Sequence, residues 1–243
     1  MNVFLEGIAW IVDPEHWTGP TGIGQRLVEH LLISLLVMVI ASAIAIPVGY
    51  LIGHTGKGRA LVIALSGGVR ALPTLGVISI IALSIGVGLT APLIALVILA
   101  LPSILAGAYA GFEAVDRRTI DAARAVGMTE WQIVSRVEIP LGLPLLMGGL
   151  RSASLQVVAT ATLAAYVGAG GLGGYIFLGE ATGDYSQMLA GSLLVITLAL
   201  LSEALFGLLQ RAVVPAGVVA ETARSDVRAP SRAVTAPVPT PQE

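Results

Sequence analysis

The chain has 243 residues, 56% of them hydrophobic and only 12% charged, with a formal net charge of −2 and a mean hydropathy of +0.89. A soluble domain carries about a quarter charged residues, so an ordinary water-soluble enzyme or binding module is excluded and the chain belongs in a membrane as one polytopic unit. With no cysteine there is neither a disulfide framework nor a thiolate metal site, and His16, His30 and His54 are too scattered to suggest a metal cluster.

Residues 1–26 read as a short lead-in. They lack a basic region ahead of the apolar start and carry acids behind it, which makes a poor cleavable signal. Trp10 and Trp17 are amphipathic rings suited to the headgroup zone. A run of about 20 apolar residues spans the hydrocarbon as a helix, and five such runs follow, over about 27–53, 61–86, 89–111, 141–167 and 188–209. Pro47 is expected to kink the first. The second is the least uniform, because Ser66–Gly76 reads S-G-G-V-R-A-L-P-T-L-G. Broken helices commonly line pathways through a membrane, and packing through small residues is an equally good account of that stretch. Pro73 and Thr74 are its path candidates. On the fourth span Ser152, Gln156 and Thr160 recur at i, i+4 and i+8. That stripe, with Gln156 and Thr160 as its path candidates, either wets a pore or bonds neighbouring helices.

Between the third and fourth spans lies a polar island, residues 112–140, whose apolar flanks carry only Arg70 and Arg151 as charges. Asp116 is placed to cap a helix over about 117–126, Gly127 to close it in the left-handed region, and Thr129 with Gln132 to form a capping box. Pro140 and Pro144 mark a restart or bend on re-entry to apolar sequence. A charged helical segment held between lipid-length runs has to lie outside the bilayer, where it makes a docking surface.

Orientation follows from the basic residues. One arrangement collects Lys57, Arg59, Arg117, Arg118, Arg124, Arg136, Arg211, Arg224, Arg228 and Arg232 on a single side. It leaves Arg26 with Glu6, Asp13, Glu15, Glu180 and Asp184 on the other. The positive-inside rule makes the first side cytoplasmic, so the N-terminus is outside and the C-terminus inside, which agrees with five spans. Arg70 would snorkel from the second span or meet substrate. Arg151 would cap carbonyls or pair across a subunit interface, and Glu203 would make a structural hydrogen bond. No chain of intramembrane carboxylates or histidines suggests proton-driven transport.

The run D-A-A-R-A-V-G-M-T, Asp121–Thr129, with Ile139–Pro140, resembles the "EAA" loop of importer-type ABC permeases of the MetI-like superfamily, with aspartate in place of the usual glutamate. A-T-L-A-A-Y-V-G-A-G-G-L-G, Ala161–Gly173, is similar to the segment after that loop in osmoprotectant permeases. The resemblance covers roughly residues 25–212. It implies an all-α permease of five transmembrane helices with a cytoplasmic coupling loop at 112–140. Asp121, Ala122, Ala123, Gly127, Met128, Thr129, Ile139 and Pro140 would then seat in a cytoplasmic ATPase dimer. A second permease, the same or paralogous, and an extracytoplasmic substrate-binding protein are the other implied partners, in a bacterial plasma membrane. Glycine betaine, choline and carnitine are the implied solutes. The chain itself would hold no cofactor and no catalytic residue, ATP and Mg²⁺ belonging to the ATPase. A methionine-type permease, which shares G-A-G-G-L-G, and an ATPase-independent channel or ion-driven carrier are the alternatives.

Gly168, Gly170 and Gly173 also fit G-x-G-x-x-G, but no strand–helix–strand unit surrounds them, so a dinucleotide site is rejected. A flexible turn into an outer loop with Glu180, Asp184 and Tyr185 is the expectation. Tyr50, Tyr109, Tyr166 and Phe206 are too few to cage a quaternary ammonium. The domain plan is a lead-in over 1–26, a permease domain over 27–211 and a tail over 212–243, whose prolines and small residues predict disorder.

Overall fold

In the computed structural model the described residues are 3–213; the tail expected to be disordered lies almost wholly outside them. Four helices are long and apolar enough to cross a membrane: Ile23–Thr55, Thr90–Glu113, Glu130–Val167 and Tyr185–Val213. We label α1 (Val3–Val12), α2 (Ile23–Thr55), α3 (Arg59–Arg70), α4 (Thr74–Ile85), α5 (Thr90–Glu113), α6 (Arg117–Ala125), α7 (Glu130–Ile133), α8 (Ile139–Thr160), α9 (Gly173–Thr182) and α10 (Tyr185–Val213). No strand occurs among the described residues.

The second expected span is therefore corrected. It is not one helix but two, α3 and α4, of 12 residues each. Pro73 lacks an N–H and pushes the residue before it out of the helical region, and Gly67 and Gly68 already weaken the turn that precedes it. The pair still runs the length of the bundle. Arg59, at the start of α3, meets Glu113 at the end of α5 at 2.6 Å, and the Gly88 N–H, just past α4, donates to the Val167 carbonyl at the opposite end. The chain between the first and second long helices thus returns from one end of the bundle to the other as a broken rod.

Helix α5 is the axis. Its one side packs on α2 and α8 through Val37, Ala41, Leu96, Ala100, Ile104, Ala153 and Val157, and its far end packs on α4 through Ala91, Ala95, Ile78 and Ala82. The approach is close because glycines face each other. A Cβ on Gly111 would lie 2.5 Å from the Gly142 carbonyl oxygen, and one on Gly107 2.8 Å from the Gly149 Cα. On the other side, a Cβ on Gly49 would meet that of Ala108 at 2.6 Å. In lipid, where apolar side chains gain nothing from leaving their solvent, such contact between small residues drives helix association.

Pro47 lies inside an uninterrupted α2, and Pro102 inside α5. Helix α1 lies against α10, with Gly7 under Leu189. Its Phe4, Leu5, Ile8 and Val12 are exposed, as suits an element lying in an interface.

Candidate functional site

The island folds as its local chemistry dictates. The Asp116 carboxylate accepts the Arg118 N–H at 2.9 Å to start α6. Gly127, at φ +85°, ends it. The Met128 N–H reaches the Ala123 carbonyl and the Gly127 N–H that of Arg124, a Schellman closure that satisfies carbonyls of the last turn. Thr129 and Gln132 make the reciprocal capping box of α7. Arg124 holds Glu130 through two hydrogen bonds, at 2.8 and 3.0 Å, and ties the two helices together.

The expected restart at Pro140 takes a different form. Helix continues from Glu130 to Val167, with a π turn at Val134–Glu138 immediately before the proline. The wider turn absorbs the missing proline N–H without ending the helix. A continuous rod therefore joins α7 to α8.

The candidate coupling residues divide by exposure. Asp121, Ala122, Gly127 and Thr129 face outward, Met128, Ile139 and Pro140 are half-buried, and Ala123 is buried with Val115, Ile120 and Ile133 inside the loop's own small core. Ala123 therefore holds α6 in place. Val126 and Trp131, not among the residues expected on this surface, are its largest exposed apolar side chains, at 78% and 76%. Their position on either side of the predicted glycine cap was the available signal.

Above the loop, the end of α2 meets the rod through His54. His54 Nδ1 lies 2.6 Å from Glu138 Oε2, and Nε2 lies 3.5 Å from Glu130 Oε2. A cavity of about 250 Å³ opens beside this contact, lined by Gly53, Arg59, Tyr109, Glu113 and Arg117 among others.

At the opposite end, the glycine-rich segment is clamped rather than flexible. The Gly171 N–H donates to Glu29 Oε2 at 2.9 Å, and the same carboxylate pairs with Arg26 at 3.0 Å. Gly170 and Gly171 have φ of +84° and +83°. A Cβ on Gly170 would fall 2.5 Å from Glu29, and one on Gly171 3.3 Å from the His30 ring. Buried His30 bonds the Val158 carbonyl through Nε2 at 2.9 Å. The glycines thus let the segment lie against Glu29 and His30. Gly171→Ala is expected to lower ATP-driven uptake and thermal stability together, by strain and crowding worth about 1–3 kcal/mol; melting in detergent and uptake on the same preparation check it. The following helix α9 seats Tyr175, whose hydroxyl donates to the Thr21 carbonyl at 2.6 Å and whose burial raises the phenol's pKa.

Arg151 finds a partner within the chain. Its guanidinium pairs with Glu203 across α8 and α10, one turn from a hydrogen bond between Ser154 and Ser202 at 2.7 Å. Of the path candidates, Gln156 Nε2 donates to the Leu99 carbonyl at 3.2 Å, and Thr160 donates to the Gln156 carbonyl within its own helix. Pro73 and Thr74 start α4 after the break. Among the described residues no cluster could hold a metal ion.

Residues 45–215 match the family described as the binding-protein-dependent transport system inner membrane component. The chain belongs to that family. It is 33% identical to the glycine betaine/carnitine/choline transport system permease protein of Bacillus subtilis, over 78% of this chain and 87% of that one. A carnitine transport permease protein of Listeria monocytogenes is 37% identical over 77% and 86%. An osmoprotectant import permease protein of Salmonella typhimurium is 33% identical over 79% and 81%. Among solved structures, an inward-facing form of the MetNI methionine ABC transporter superposes with a TM-score of 0.69 at 25% identity, over 79% of this chain and 96% of that one. The protein is therefore a multi-pass ABC permease subunit. Such a subunit carries solute and makes no bond; hydrolysis belongs to its ATPase.

Proposed function

We propose that this permease imports osmoprotectants of the quaternary-amine class, glycine betaine, choline and carnitine, and that ATP closure of a cytoplasmic ATPase dimer drives it through the 117–138 loop. The observation that carries the solute class is the 30–37% identity, over more than three quarters of the chain, to permeases named for those solutes. The basic loop end is the cytoplasmic one, and the end holding Glu29, Gly171 and Tyr175 receives a substrate-binding protein. Asp121, Ala122, Gly127, Met128 and Thr129, joined by Val126 and Trp131, form the ATPase-facing surface, while Ala123, Ile139 and Pro140 hold its shape. Pro73 and Thr74 at the helix break, with Gln156 and Thr160, sit along the solute path between this subunit and a second permease.

The test is uptake in proteoliposomes by the permease assembled with its ATPase and binding protein. Labelled betaine, choline or carnitine should enter only with internal ATP. Uptake of methionine alone would transfer the chain to the methionine type, and uptake by the permease without any ATPase would end the ABC reading. Ala122→Arg adds a long side chain to an exposed position, so the permease should fold normally. Its ATP-driven uptake should fall by about tenfold or more, because a central interface residue carries more than about 1.4 kcal/mol.

A further inference from the structure

At the end of the bundle opposite the loop, a cavity of about 400 Å³ opens between the lead-in and the permease body. Trp10 and Glu15 line it from the lead-in, and Arg26, Tyr175 and Asp184 from the body. The Trp10 and Tyr175 rings lie 5.1 Å apart with their planes at 69°, so they meet as two walls of a corner. Both rings are held in place. His16 stacks on the indole at 3.9 Å and bonds the Trp10 carbonyl through Nδ1 at 2.8 Å, while the Tyr175 hydroxyl donates to the Thr21 carbonyl at 2.6 Å. Glu15 and Asp184 are exposed, and Asp184 accepts the Gln187 N–H at 3.0 Å. The Arg26 guanidinium has five N–H donors, of which Glu29 takes one at 3.0 Å.

We infer that this cavity is a receiving site for a quaternary ammonium solute on the permease itself, apart from the site on its binding protein. A trimethylammonium group has no N–H to donate, so it is recognised by aromatic rings and by negative charge placed near it. Trp10 and Tyr175 supply the rings, and Glu15 and Asp184 the charge. The carboxylate of glycine betaine or carnitine meets Arg26, whose planar fork suits that group. Choline has no carboxylate and uses the rings and acids alone. The volume is adequate, since pockets for small ligands start at about 300 Å³. Trp10, expected from the sequence as an anchor in the headgroup zone, thereby gains a second use. The inference rests on the solute class given above and adds to it a place where the chain itself holds that solute.

The experiment is equilibrium dialysis of labelled choline and labelled glycine betaine against the permease–ATPase assembly in lipid nanodiscs, with the binding protein left out so that its own site does not contribute. Both solutes should bind saturably. Asp184→Asn keeps an oxygen for the Gln187 N–H and removes only charge, so the permease should fold normally and bind both solutes about tenfold more weakly. Glu180→Gln removes an equally exposed charge from the same outer loop but outside the cavity, and should stay within about twofold of the unmodified chain. Trp10→Leu should weaken binding by about tenfold, and Trp10→Phe, which keeps a ring, by less. The tert-butyl analogue of choline, with carbon in place of the nitrogen, should compete far more weakly than choline. The inference is overturned if neither solute binds saturably, if Asp184→Asn and Glu180→Gln weaken binding equally, or if the tert-butyl analogue competes as well as choline. The Asp184 and Glu180 comparison decides the matter even where Trp10→Leu fails to fold. ATP-driven uptake of methionine, with none of betaine, choline or carnitine, by the complete assembly would overturn the solute reading itself. Uptake of those solutes with binding unaltered in Asp184→Asn removes only the cavity site.

Discussion

Gly111→Ala is expected to deprive the membrane of most folded permease. The added carbon would lie 2.5 Å from the Gly142 carbonyl oxygen and 3.1 Å from its Cα. Both are backbone atoms, so no rotamer change relieves the collision, and α5 and α8 must separate. Gly107 and Gly149 repeat the contact about one turn away, so separation opens the whole seam rather than one point of it. Overpacking of this kind costs about 1–3 kcal/mol where side chains can yield, and here they cannot. Helix packing in lipid has no hydrophobic reserve to offset the loss. Gly207→Ala is the matched control. Its new Cβ meets nothing within 4 Å, and alanine in a helix interior is favoured over glycine by about 0.5–1 kcal/mol. Thermal unfolding in detergent and the yield of monodisperse protein should therefore move in opposite directions for the two variants. Equal melting temperatures would mean that the glycine seam does not hold α5 to α8.

What was legible in the sequence was what is decided locally. Asp116, Gly127, Thr129 and Gln132 define the loop within one or two turns of themselves, and each cap forms where its residue type requires. The long apolar runs were equally plain, because length against bilayer thickness is a one-dimensional question. Non-local partners were not readable. Arg151 and Glu203 are separated by 52 positions, His54 and Glu138 by 84, and Glu29 and Gly171 by 142. Nothing in composition or spacing pairs them, so Gly168–Gly173 read as flexible when Glu29 and His30 hold it. The break at Pro73 was visible as a disturbance in the second run. Its consequence, two 12-residue helices, was not, because hydropathy averages across a proline that the backbone cannot ignore. The seam glycines were open to notice: Gly49 and Gly53 on α2, and Gly107 and Gly111 on α5, each stand four apart, the spacing that lets two membrane helices touch.

The largest electrostatic effect is expected at the pair between α8 and α10. Arg151 and Glu203 lie well inside two of the long apolar helices, and each is the other's charged partner. Removing one leaves an ion without its partner on a long apolar helix, where lipid offers little relief. Glu203→Leu and Arg151→Met should each sharply lower the melting temperature in detergent and reduce uptake in step with the folded fraction. The double variant leaves no ion behind. A buried pair replaced by apolar residues of similar volume is often neutral or stabilising, so the double variant should recover most of the stability lost by either single change. The coupling energy of this cycle then separates two uses of the pair. One use is stability alone; the other is to fasten α10 to α8, which continues the rod that begins at the loop, so that the two would move together. Recovered stability without recovered uptake identifies that fastening as part of the transport stroke. Two single variants that melt like the unmodified chain would show that the ions are solvated and fasten nothing.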